Sequence, residues 1–184
     1  MLSLDHAARL GILQAQPIAS SALNRPPGGR ICYVDSIDRR ILLELQKDGR
    51  LTNQELADRV GLSPSPCLRR VRQLQDSGVI SGYTAVLSAE ALGLTITAFA
   101  RLTLLSHTST VVDEVEARLR AIPEVVEAYL LAGDDDYMVK IVVASFAAYE
   151  DLLRRELRAI PSLGSITTSF AFAVTKPQSP LPMP

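Results

Sequence analysis

Three arginines, Arg69, Arg70 and Arg72, stand within four positions just after two prolines, in the stretch GLSPSPCLRRVRQLQDSGVI at 61–80. A guanidinium fork can clasp phosphate or bind a guanine edge through two hydrogen bonds. A second cluster, AGDDDYMVK at 132–140, sets Asp134, Asp135 and Asp136 directly after Gly133. Crowded carboxylates can hold a divalent cation, serve acid–base chemistry or simply hydrate a loop. No Ser/His/Asp or Cys/His set accompanies them, and no obvious metal partners lie elsewhere in the sequence, so the bare motif reads as a solvated turn. Its acids and free backbone amides could still meet the ammonium and carboxylate of an amino acid.

The other candidates for chemistry are sparse. Cys32, Cys67, His6 and His107 form no C-x-x-C or H-x-x-x-H spacing, so neither a metal site nor a disulfide framework is expected, and no cofactor is called for. Cys67 reads as a small packed residue in a first helical turn, and His107 as a surface loop residue.

The net charge of −1 would not by itself suggest nucleic acid, but it is unevenly spread. Residues 37–80 carry a net +2 and residues 109–159 a net −5, a mildly basic front and an acidic back with different jobs. With 47% hydrophobic and 21% charged residues, a chain of 184 can bury a real core in one domain or two small ones. No run approaches the ~18 apolar residues of a membrane helix. Asp5, His6 and Arg9 interrupt the place where a signal peptide would need an apolar stretch, so a cytoplasmic protein is expected.

The elements that must position the arginines follow from spacing. Residues 1–34 lack periodicity and include NRPPGGR, so a flexible extension is expected, with order beginning near Asp35 and a start site annotated too far upstream. Ile37, Ile41, Leu42 and Leu45 then mark one helical face, ending before Gly49. Thr52 and Glu55 have capping-box spacing and open a short helix with Leu56, Ala57 and Val60 inward. Gly61 supplies a turn, Ser63 is placed to cap a third helix, and Pro64 and Pro66 fall in its first turn. The prolines therefore begin this helix rather than break it. At 100° per residue, Cys67, Leu68, Val71, Leu74 and Gly78 form the inward stripe. Arg69 falls almost opposite, Ser65, Arg72 and Gln73 flank it, and Arg70 sits at the border. Two helices joined by VGLS, the second cationic outside, make a helix-turn-helix whose second helix can enter a major groove; a solvated face of an ordinary three-helix domain is the alternative.

Behind it lies a different grammar. Residues 95–104 and 165–174 alternate with period two. Between them come a helix through Val111, Val112, Val115, Leu119 and Ile122, strands near 125–131 and 137–143, and a helix through Tyr149, Leu152, Leu153, Leu157 and Ile160. The order βαββαβ describes a ferredoxin-like sandwich, and LRAIP recurs at 119–123 and 157–161, each time at a helix end before a strand. The fold class is α+β.

From Asp35 to about Lys176, some 142 residues, the sequence resembles the leucine-responsive/AsnC (feast/famine) regulators, on DSIDRRILLELQKDGRLTNQELADRVGLSPSPCLRRVRQLQDSGVISGYTAVL at 35–87 and AGDDDYMVK at 132–140. The resemblance implies a winged helix-turn-helix domain over 35–82, a linker over 83–94 and a ferredoxin-like effector and oligomerisation domain, the RAM domain, over 95–176. The segment 177–184 is then a flexible tail that, like residues 1–34, falls outside the family pattern. It further implies a DNA-binding transcription regulator that is a homodimer assembling to octamers or beyond, with an amino acid held between subunits. Ser65, Arg69, Arg72 and Gln73 would meet base edges, and Arg70 and Asn53 phosphates. Position by position, Gly133, Asp134, Asp136 and Tyr137 would receive the effector, with Leu130, Thr168 and Ser169 completing the pocket. Asp135, often aromatic or less acidic in relatives, departs from the pattern; it either favours a basic or polar effector or faces water. The alternatives are a sirohaem-decarboxylase-like enzyme of the same architecture, disfavoured because the C-terminal half holds one histidine, and a regulator that senses no ligand.

Overall fold

The computed structural model describes residues 34–183. The chain divides into two compact units: one runs to Val86 and also includes the segment from Gln178, the other is Leu87–Pro177. The predicted extension therefore lies outside the described residues, except for Val34, which packs on the first core.

Three helices build the first unit: α1 (Ser36–Lys47), α2 (Asn53–Val60) and α3 (Pro64–Asp76). Asp35 caps α1 by accepting from the amides of Ile37 and Asp38, and Asp38 returns the bond to the Asp35 amide. Thr52 and Glu55 do the same for α2, as their spacing predicts. The inward faces meet around Ile41, Leu56, Ala57, Val60, Cys67 and Val71, all essentially sealed from solvent. Each large apolar side chain so buried contributes about 1.5–3 kcal/mol.

Details of α3 differ from the sequence reading. Ser63 is the N-cap residue, but its hydroxyl caps nothing. Pro66 occupies the third helical position, so of the two amides a capping serine can bind only that of Ser65 exists. Gly78 is not part of the inward stripe; it lies past the helix end with φ of 76°, and Leu68 is only half-buried. After α3 no strand forms before residue 96 among the described residues. Ile80 and Tyr83 pack on the helical core, which carries the unit past the expected limit at 82.

In the second unit β1 (Ile96–Leu104), α4 (Ser109–Ala121), β2 (Val125–Leu130), β3 (Tyr137–Val143), α5 (Phe146–Arg155) and β4 (Leu163–Phe170) realise the predicted βαββαβ order. The sheet is antiparallel in the order β2-β3-β1-β4. Ala98, Ala100 and Leu102 of β1 and Tyr137, Val139, Ile141 and Val143 of β3 face Val115, Leu119, Tyr149 and Leu152 of the helices. The intervening Phe99, Arg101, Met138 and Lys140 lie on the face the helices do not cover. Both LRAIP copies do the same job: Leu119 and Ile122, then Leu157 and Ile160, bury their side chains where a helical segment gives way to a strand. The last strand stops at Phe170 instead of reaching 174, leaving Phe172 and Val174 exposed.

Candidate nucleic-acid interface and the acidic turn

The turn between α2 and α3 is set by Gly61, whose φ of 72° and ψ of 39° place it in the left-handed region. A side chain there would meet no neighbour, so glycine is favoured by backbone conformation alone. The Leu62 amide reaches back to the Ala57 carbonyl at 2.9 Å, closing α2 before the chain turns into α3. Asn53 then locks the pair, its Nδ2 donating to the Pro64 carbonyl at 2.9 Å. Its Oδ1 is buried without a partner among the described residues. Asn53 thus braces one helix against the start of the next.

Ser65, Arg69, Arg72 and Gln73 are all exposed on α3, and Arg69 and Arg72 make no ion pair within the described residues. Arg70 is different. Its guanidinium donates to Asp35 Oδ2 at 2.7 Å and to Asp38 Oδ1 at 2.8 Å, and its side chain is only 24% exposed. The Asp38 amide chiefly, and Arg70 next, hold the Asp35 carboxyl below its ordinary value; Asp38 and then Asp35 hold the Arg70 guanidinium above its own. Arg70 therefore bolts α3 to the cap of α1, and among the described residues the unpaired cations of α3 are Arg69 and Arg72. Its border position on the helical wheel hinted at this, but partners 35 and 32 residues upstream left no local signal.

The three aspartates of the acidic turn, Asp134, Asp135 and Asp136, have three different settings. Asp136 is fully engaged: Oδ2 accepts from the Leu104 amide at 2.6 Å and Oδ1 lies 2.7 Å from His107 Nε2. Its own amide donates to the Leu102 carbonyl at 2.9 Å. The Leu104 amide first, then His107, keep the Asp136 carboxyl below the usual range. Asp135 pairs with Arg101 across 3.6 Å. Asp134 is exposed beside exposed Gly133 and makes no ion pair or side-chain hydrogen bond within the described residues.

The remaining expected effector residues scatter. Tyr137 is only 2% exposed, on the helix side of the sheet, its hydroxyl without a partner among the described residues. Burial chiefly, with the Glu116 carboxylate next, pushes its phenol up. Leu130 is exposed at the end of β2, opposite Tyr137. Thr168 turns to the helix side, its hydroxyl on that of Tyr149, while Ser169 faces the uncovered side opposite Phe99. They stand two and three positions along β1 from the Leu102 rung that adjoins the turn, roughly 7–10 Å. One copy of the chain thus brings Gly133 to Asp136 together with Arg101 and His107, and leaves Thr168 and Ser169 apart. Arg101 and His107 went unrecognised in the sequence; only the alternation of β1, which puts Arg101 on the uncovered face, pointed to the former. Among the described residues no group of three His, Cys, Asp or Glu could hold a metal ion.

The comparisons with known proteins agree with this division. Residues 34–81 match the family described as winged helix-turn-helix DNA-binding, and residues 97–181 match the Lrp/AsnC ligand binding domain. The second match runs to residue 181, into the tail expected to fall outside the family pattern, and leaves 182–184 beyond it. The leucine-responsive regulatory protein of Rhizobium meliloti is 41% identical over 143 residues, 78% of this chain and 92% of that one. The Escherichia coli K12 protein of the same name is 42% identical over 135 residues, 73% and 82% of the two. Among solved structures, a Neisseria meningitidis transcriptional regulator in complex with L-Met superposes with a TM-score of 0.76 at 36% identity, covering 80% of this chain and 96% of the other. A feast or famine regulatory protein of Mycobacterium tuberculosis complexed with L-methionine gives 0.71 at 38%, over 78% and 95%. A helix-turn-helix reader joined to a ligand-binding βαββαβ sandwich defines a DNA-binding transcriptional regulator, not an enzyme. The chain belongs to the Lrp/AsnC family.

Proposed function

We propose that α3 reads duplex DNA through Ser65, Arg69, Arg72 and Gln73, and that an amino acid bound at the acidic turn between C-terminal units of neighbouring copies modulates that binding. The observation that carries the first half is the contrast on one helix: Arg70 is engaged inside the subunit, whereas Arg69 and Arg72 stand exposed without ionic partners among the described residues. Arg70 and Asn53, expected at phosphates, act instead as braces that fix the angle at which α3 is presented. The second half rests on Asp134, the one carboxylate of the three without a partner among the described residues, beside exposed Gly133, and on relatives whose structures hold L-methionine.

A single modestly basic domain gains little affinity from phosphate neutralisation, so two copies on half-sites about 34 Å apart, or a multiple of that, are the working unit. Exposed Leu105, Val126, Tyr129, Leu130 and Phe146 on the second unit favour association of that unit with another copy. Assembly from homodimer to octamer raises valency further. The effector then acts by binding one assembly more tightly than another. The protein works in the cytoplasm, where duplex and amino-acid pools meet; among the described residues no helix is long and apolar enough to cross a membrane.

Genome-wide footprinting with and without each of the twenty amino acids tests both halves. Protected sites with helical-turn spacing that shift with one amino acid are expected. Sites insensitive to all of them would leave a regulator that responds to concentration alone.

A further inference from the structure

The segment after the sandwich, QSPLPMP at 178–184, alternates proline with other residues from Pro180 onward. Prolines lack an amide donor and hold φ near −65°, so of residues 180–184 only Leu181 and Met183 can donate from the backbone. This segment groups with the helix-turn-helix unit, not with the sandwich it follows. Its contact has a definite chemistry. The Leu181 amide donates to Gln46 Oε1 at 2.6 Å, and Gln46 Nε2 donates to the Leu181 carbonyl at 3.3 Å. One carboxamide thus meets both backbone groups of a single residue, as a neighbouring strand would. Two residues on, Met183 packs on the cluster that holds Ile41, Leu45 and Val71, while the Leu181 side chain stays exposed. Backbone pairing at one position and an apolar anchor at another form a recognition mode suited to an extended proline-rich peptide.

We propose that the Gln46 side of α1 is a peptide-recognition site for an extended, proline-alternating segment, and that its occupant is residues 178–183 of the same chain. The consequence is a second tether. The helical unit is joined to the sandwich by the chain at Val86–Leu87, and the docked segment joins it again beyond Pro177. The covalent link keeps a contact of this size populated through its high effective concentration.

The chain has three methionines, Met1, Met138 and Met183, so methyl-labelled methionine in the full protein gives three assignable signals. The Met183 methyl is expected away from its random-coil position in the unaltered chain. In Gln46→Ala, whose site is on the surface of α1, it should collapse to random coil while Met138 is unmoved. A random-coil Met183 signal in the unaltered chain, or one indifferent to Gln46→Ala, overturns the proposal. So does a shifted signal that returns to random coil on dilution, because the occupant would then be the tail of a second copy. As an independent arm, a labelled KPQSPLPMP peptide should bind protein truncated after Pro177 at least tenfold more tightly than it binds the full chain. N-methylation at its Leu181 position, which removes the donated hydrogen, should weaken it at least tenfold. Equal binding to full and truncated protein, or no effect of the methyl group, refutes the site.

Discussion

Replacing Arg69 by alanine separates reading DNA from folding. Arg69 is exposed, opposite the buried stripe, and has no ionic partner among the described residues, so its loss should move stability by no more than about 0.5 kcal/mol. A two-hydrogen-bond contact to a base is worth about 1–3 kcal/mol of discrimination. With one helix from each copy of the proposed dimer, the loss is about 2–6 kcal/mol, or roughly 30-fold to 20,000-fold in affinity at 1.4 kcal/mol per decade. The assay is fluorescence anisotropy with an operator duplex and a scrambled duplex across a salt series. If Arg69 meets a base edge, operator affinity falls toward the scrambled value and the salt slope is retained. If it meets phosphate instead, both duplexes weaken alike and the slope shrinks by about 0.9 per contact. Unchanged affinity, selectivity and slope would refute the placement of this helix in the groove.

Arg70→Ala should behave in the opposite way: the helical unit melts on the order of 5 °C lower, two carboxylates having lost their cation, and DNA affinity recovers when binding is measured on cooled, fully folded protein. Gly61→Ala should cost about 1 kcal/mol by denaturant titration, because the left-handed backbone strains any side chain even in open space. Asp134→Asn should abolish amino-acid-induced thermal shifts while leaving the ligand-free melting temperature in place; Asp136→Asn, which keeps one acceptor oxygen where two are engaged and loses the charge, should lower that temperature itself. Asp35, Glu55 and Asp136 are held below their ordinary values, chiefly by the amides of Asp38, Thr52 and Leu104 respectively, so the unfolded chain binds more protons than the folded one at low pH. Their stabilisation is complete above the ordinary values of 3.8–4.5 and is lost as pH falls through the lowered folded ones; a melting temperature flat down to pH 3 would contradict this.

Much of the fold was legible because its signals are local. Thr52 and Glu55 announced a helix start, residues 95–104 alternated as a strand must, and the recurring LRAIP marked two equivalent junctions. Alternation over 165–174 likewise implied that Thr168 and Ser169 face opposite sides of the sheet. What could not be read were partnerships across long stretches of chain: Arg70 with Asp35, Arg101 with Asp135, and Gln46 with Leu181. A side chain with one hydrogen-bonding fork and several possible partners reveals its choice only when the backbone has brought one of them near.

The two prolines that open α3 have an effect on recognition beyond starting the helix. Helix starts leave amides without partners, and here two of the first three do not exist, while the Cys67 amide already reaches the Ser63 carbonyl at 3.2 Å. The end that would approach a base pair is therefore stiff before it arrives and carries few donors that must shed water to fit. Little ordering remains to be done on contact, so more of each favourable touch survives as affinity.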